Sequence, residues 1–166
     1  MYLRPKNPRL ISQRPHGRPP RVSLDEVLGQ IVRVLSVSPQ HSKMSLADLR
    51  LRVVPPLRLG YCRVLRGDDG HPLAYAAWAR VSNAVHARLE KSPEKAHAEL
   101  KAEDWNSGPH PWLIDLAAPP QVLPQVLAEL ESSVFKGEMR FAQACFGRHF
   151  TRNSQHHGQT CTCRGH

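Results

Sequence analysis

The chain predicts a single α/β (α+β) layer domain in which helices cover a sheet. Three observations carry this expectation. An apolar stripe at helical spacing follows a helix-start signal at Ser23. Two β-type runs flank the turn-forming segment GDDGH. A short apolar run, PWLIDLAAP, stops at Pro119 and Pro120 ahead of another helical stretch. With 166 residues there is room for one ordinary domain with a real core, and not for two.

Ser23 to Glu26 read as a capping box, in which the Ser23 hydroxyl accepts the Glu26 amide and the Glu26 carboxylate reaches back. Leu24, Val27, Leu28, Ile31, Val34 and Leu35 then line one helix face. The residue before Pro39 is pushed out of the helical region, so the helix stops at Ser38 and His41 falls on a turn. Ser45 to Asp48 signals a second, short helical or mixed segment, expected to end at Pro55 and Pro56. YCRVLR and PLAYAAWARV pair as a hairpin across GDDGH. Residues 83–101 carry abundant helix formers with a thin apolar face of Val85, Leu89 and Leu100, and Pro93 is expected to break or kink them. EDWNSGPH reads as a polar loop, PWLIDLAAP as a strand, residues 121–134 as a helix and residues 139–146 as a last strand.

The formal net charge of +9 invites a nucleic-acid reading, and its distribution argues against one. Residues 1–22 carry six basic groups, residues 148–166 carry three, and neither segment has an acid. Residues 23–147 balance 14 Lys and Arg against 14 Asp and Glu, so the body is formally neutral and shows no recognisable reading head. The Pro- and Arg-rich segment 1–22 is expected to be a disordered arm, 23–147 the folded domain, and 148–166 a second disordered basic tail. No run of 18 apolar residues and no secretory signal stretch is present, which predicts no membrane span and a cytoplasmic protein with reduced thiols. His156, His157, Cys161, Cys163 and His166 in the tail lack the spacing of a structural zinc site, so no metal site is expected.

Asp115 is the anomaly of the strand run, since it sits between Ile114 and Leu116 where apolar residues surround it. Either it lies on an exposed face or strand end, or it is buried and needs a donor, because an unpaired buried carboxylate costs several kcal/mol, roughly. His41 is one of ten histidines, and its place on a loop does not by itself single it out, although histidine is the commonest general base.

Four segments taken together say more. SPQH after an amphipathic helix, PLAYAAWA on a strand, then AEDWNSG and WLIDLAAP resemble, in that order, the signature segments of the RTX toxin-activating lysine acyltransferases, the hemolysin-activating C protein type. The resemblance runs from Leu24 to about Phe146. It implies a GNAT-like acyltransferase fold with a central, mostly antiparallel sheet flanked by helices. It also implies a cytoplasmic enzyme with no bound cofactor, moving a fatty acyl chain from acyl carrier protein, where it hangs on a phosphopantetheine thioester, to internal lysines of an RTX protoxin. Acyl carrier protein and the protoxin are the implied partners, with a homodimer as a further assembly. Residue by residue, the implied catalytic pair is His41 and Asp115, with Ser38 supporting it. Trp105, Ser107 and Gly108 match a loop beside the active site, and Tyr75 and Trp78 match strand positions that line or support it. Large aromatics and a loop glycine also have an ordinary reading as packing and backbone residues. The chain departs from the family pattern at Met44, Ala76, Ala77, Leu116 and Ala117, and the tail beyond Phe146 does not carry the resemblance.

The implied chemistry needs such a pair. A lysine of ordinary pKa, about 10.4, costs roughly 4 to 5 kcal/mol to deprotonate at pH 7. His41 as general base would take that proton while Asp115 fixes the imidazole tautomer, and an acyl-His41 intermediate is the alternative. A backbone amide at a sheet irregularity would serve the oxyanion. Acyl carrier proteins are acidic, so Arg50, Arg52 and Arg58, or the arms, are the expected docking charges. Two rival functions remain: a GNAT-like enzyme with another donor or acceptor, and a non-enzymatic module whose basic arms contact nucleic acid.

Overall fold

The computed structural model describes residues 22–91, 100–136 and 140–141. The basic arm short of its last residue, the break expected at Pro93 and the His/Cys tail lie outside these residues. Helix α1 spans Leu24–Val37, with the Ser23 hydroxyl accepting the Glu26 amide at 3.1 Å as its cap. Helix α2, Leu46–Arg52, starts on a full capping box between Ser45 and Asp48. The chain does not break at the two prolines that follow, which corrects the expected end. Pro55 and Pro56 occupy the first turn of α3, Val54–Leu59, where an amide N–H has no helical partner to lose. Gly60, at φ 69°, closes α3 in the left-handed conformation that glycine adopts without a Cβ penalty.

Strands β1 (Cys62–Arg66) and β2 (Pro72–Val81) form the expected antiparallel hairpin. After α4, Asn83–Lys91, the segment read as a polar loop instead makes a turn of 3-10 helix, Ala102–Trp105, with Asp104 and Trp105 buried. The indole drives this, because so large an apolar ring gains more inside than a solvated loop would give it. Strand β3, His110–Ala117, pairs antiparallel with β2, and the short β4, Arg140–Phe141, pairs parallel with β3. Between them lie α5, Leu123–Leu130, and a widened π turn, Glu131–Phe135. The sheet order is β1-β2-β3-β4, so the mixed helix and strand class and the mostly antiparallel sheet are as the sequence led one to expect.

Two apolar clusters sandwich this sheet. Ile31, Val34, Leu35, Val53 and Leu57 from α1 and the α2–α3 region pack with Tyr75, Ala77 and Ala117 on one face. Val85 and Leu89 of α4, Val126 and Leu130 of α5, Trp105 and Phe135 pack with Ala74, Ala76, Trp78, Ile114 and Leu116 on the other. Alternation along the strands explains the division, since successive side chains point to opposite faces. The register slips twice, between Leu65 and Arg66 in the β1–β2 pair and again in the β2–β3 pair. Asp115 pairs with Ala77, yet Leu113 pairs with Trp78, which leaves Ile114 as an extra residue in β3 beside Asp115.

Candidate active site

Asp115 belongs to the face covered by α1–α3, and with 1% of its surface exposed it is a buried carboxyl in an apolar layer. The donor that such a group requires is present several times over. Oδ1 accepts the Leu116 amide at 2.9 Å and lies 2.8 Å from His41 Nε2, while Oδ2 lies 3.5 Å from Arg52 Nη2. His41 is itself 5% exposed. It reaches Asp115 because α1 ends at Val37 and residues 38–44 turn back over the sheet, held by bonds from the His41 and Ser42 amides to the Ser38 carbonyl at 3.0 and 2.9 Å.

An ionised carboxylate has no hydrogen to give, so beside the Asp115 carboxylate Nε2 carries the hydrogen and donates it to Oδ1. In the neutral ring Nδ1 is then an acceptor, and the hydrogen on Ser38 Oγ, 2.8 Å away, points to it. Ser38, His41 and Asp115 thus form a continuous string from a turn hydroxyl to a strand carboxylate, with the lone pair of the imidazole aimed at the serine.

Two more groups surround the carboxylate. The Tyr75 hydroxyl is buried with no hydrogen-bond partner among the described residues. Burial first, then the nearby Asp115 carboxylate and the Cys62 thiol, push its pKa well above the ordinary phenol value, against the opposing charge of Arg52. Burial raises the Cys62 thiol to about 11, so it stays protonated and inert at neutral pH. Arg52 Nε is likewise buried without a partner among the described residues.

The structure therefore brings together four of the eight residues singled out in the sequence: His41, Asp115, Ser38 and Tyr75. The others lie elsewhere. Trp78 is on the opposite face of β2, stacked on Tyr61 at a centroid distance of 6.4 Å and edge-on to Phe135 at 6.3 Å. Trp105 fills the second core. Ser107 clamps the end of β2, accepting the Ser82 amide at 2.9 Å and donating to the Asp104 carbonyl at 3.1 Å. Gly108 donates its amide to the Arg80 carbonyl at 3.1 Å. At about 3.3 Å per strand residue this clamp is roughly 16 Å along β2 from Ala77, the partner of Asp115. Arg52 is the residue whose place beside the carboxylate the sequence did not disclose. Its sequence position groups it with Arg50 and Arg58 as a docking charge, and no spacing rule links a helix-end arginine to a strand 63 residues on.

A turn-borne imidazole, buried between a hydroxyl and a strand carboxylate on the covered face of an α/β sheet, has the parts of a proton-transfer site and makes the chain a candidate group-transfer enzyme. The comparisons with known proteins give the family. Residues 21–158 match the model of the RTX toxin acyltransferase family, and the chain belongs to that family. The match passes Phe146, where the motif resemblance stops. Among similar proteins, the RTX-II toxin-activating lysine-acyltransferase ApxIIC of Actinobacillus pleuropneumoniae is 38% identical over 93 residues, covering 56% of this chain and 55% of that one. The leukotoxin-activating lysine-acyltransferase LtxC of Aggregatibacter actinomycetemcomitans is 34% identical over 95 residues, 57% of this chain and 53% of that one. The protein-lysine myristoyltransferase HlyC of Escherichia coli is 33% identical over 96 residues, 57% and 51% respectively. The aligned stretch thus spans about half the length of these relatives.

Proposed function

We propose that the chain is a protein-lysine fatty acyltransferase that takes its acyl chain from acyl carrier protein and attaches it to internal lysines of an RTX protoxin in the cytoplasm. The observation that carries this reading is the buried string Ser38–His41–Asp115, found in a chain whose relatives are named for toxin activation by lysine acylation. The lysine amine attacks the thioester carbonyl, the C–N bond forms and the C–S bond breaks. The proton lost by the amine passes to His41 Nδ1 by way of the Ser38 hydroxyl, or directly once that hydroxyl turns aside. The resulting imidazolium is held by Asp115 through Nε2–H and returns a proton to the departing thiolate. Because Nδ1 is the one basic nitrogen of this tautomer, the same atom would attack in an acyl-His41 route. No resident cofactor has a part in either route.

The test is to incubate the chain with acylated carrier protein and an RTX protoxin and to weigh the target by mass spectrometry. A mass gain of one acyl chain, localised to an internal lysine, is expected. A gain seen with acyl-CoA and not with the carrier would overturn the donor assignment, and no gain with either would overturn the acyltransferase reading.

A further inference from the structure

The neutral body is strongly polarised along the chain. Residues 27–66 hold seven of its 14 basic residues and a single acid, Asp48. That acid is occupied, accepting the Ser45 amide at 3.0 Å and the Ser45 hydroxyl at 2.6 Å in the α2 cap. Three of the seven cations are also committed inward or sideways: Arg52 to Asp115, Arg63 to Glu129 and Arg66 to the Gly70 carbonyl. The other four, Arg33, Lys43, Arg50 and Arg58, are exposed and form no ion pair with the described residues. Helical spacing sets two of them beside exposed apolar side chains. Arg33 is four residues before Val37 on α1, and Arg50 is four residues after Leu46 on α2, so each pair shares a face. Val37 is 81% exposed and Leu46 86%, so both apolar side chains stand in solvent beside these cations. The turn that carries His41, with Lys43 on it, joins these two helix ends.

We infer that this mixed cationic and apolar face, built from Arg33, Val37, Lys43, Leu46 and Arg50, is the docking surface for the acidic carrier protein that delivers the acyl chain. The inference rests on the acyltransferase reading above for the identity of the partner and adds the place where it binds. Charge complementarity selects the occupant. Glu26, two turns before Arg33 on α1, is the nearest acid on that stripe, and the cations gathered toward the turn outnumber it, so this surface attracts an acidic helix, while the interleaved apolar side chains supply the desolvated contacts that long-range attraction alone lacks. Docking here places the carrier over the one turn that positions the imidazole.

The experiment measures binding rather than turnover. Fluorescently labelled acyl carrier protein is titrated with the full chain, with the Lys43→Glu/Arg50→Glu variant, and with Lys91→Glu as a charge change on α4. Affinity is expected to fall about tenfold or more in the double variant and to stay within about twofold in Lys91→Glu, and the double variant should lose most of the parent's salt dependence. All substituted positions are exposed, and equal melting temperatures verify the folds. A carrier whose acidic helix residues are changed to Lys should recover affinity for the double variant. Equal binding by the parent and the double variant would overturn the inference, as would equal losses in the double variant and Lys91→Glu. The outcomes separate from those of the acyltransferase reading. Transfer activity with undisturbed carrier affinity in the double variant sinks the docking surface alone, whereas charge-dependent carrier binding without any acyl transfer sinks the enzymatic reading alone.

Discussion

Asp115 is the residue on which the site turns, because it converges bonds from three separate parts of the chain: the turn at His41, the end of α2 at Arg52, and its own strand at Leu116. Removing the carboxylate leaves a buried imidazole N–H and a buried backbone N–H without that acceptor. Asp115→Ala is accordingly expected to lower unfolding stability by about 3 kcal/mol, read as a shift in the urea midpoint, with Asp115→Asn, which keeps one acceptor oxygen, losing less. Equal midpoints for Asp115→Ala and the parent would mean that the carboxylate is not the hub described. The sequence made this residue conspicuous as a charge within an apolar strand run, and it left open whether the charge was exposed or paired. His41 stood out through the SPQH resemblance alone, since nothing in a 74-residue separation makes an imidazole meet a carboxylate. Arg52 carried no signal, because the contact depends on how α2 lies over the sheet.

At the level of elements, two glycines and one histidine give contrasting predictions. A Cβ on Gly108 would lie 2.6 Å from Ser82 Cα and 2.8 Å from both Ser82 N and Val81 O, all backbone atoms that cannot swing away. Gly108→Ala should therefore cost about 1 to 3 kcal/mol in thermal or urea unfolding. Gly29, exposed inside α1 with nothing within 4 Å of a new Cβ, should instead gain about 0.5 to 1 kcal/mol on change to Ala. His86 joins α4 to the far end of β3. It stacks on His110 at 4.5 Å and accepts the Trp112 indole N–H at 3.1 Å, with Glu90 3.3 Å and Arg140 3.1 Å from Nε2. Burial, helped by Arg140 and His110 and opposed by Glu90, holds its pKa below 6.5. The unfolded chain then binds the proton more readily, so this contribution to stability is complete above about pH 6.5 and is lost as the pH falls through the folded-state value. An NMR titration of the His86 ring should give a midpoint under 6.5, and a midpoint at or above that value would contradict the packing described. The hairpin, the strand at Asp115 and the Ser23 half of the α1 cap were legible from local rules, while the expected return bond from the Glu26 carboxylate is not among the bonds of that cap. The start of α3 on two prolines and the 3-10 turn at Ala102–Trp105 were not, because a proline pair marks a helix start as well as an end, and the pull of the core that turns the segment around its indole is a tertiary effect, although the packing reading of Trp105 itself holds.

In the molecule as a whole the Ser38–His41–Asp115 string lies on one covered face of the sheet, with structural clamps on the other and at the far end of β2. Composition suggested two basic arms around a neutral body, and that sum concealed the polarity that lies across residues 27–66, where cations and exposed apolar groups surround the turn bearing the imidazole. Among the described residues no helix is long and apolar enough to cross a membrane. Fold and family together place a buried hydroxyl–imidazole–carboxylate string in a chain of the RTX toxin acyltransferase family. The most direct test of its role is the rate of acyl transfer from acylated carrier protein to an RTX protoxin, followed by intact-protein mass, for the parent and for His41→Ala. A loss of at least about 10² in rate, with melting behaviour that shows the variant folded, is the expected result. Transfer by folded His41→Ala at the parent's rate would contradict it.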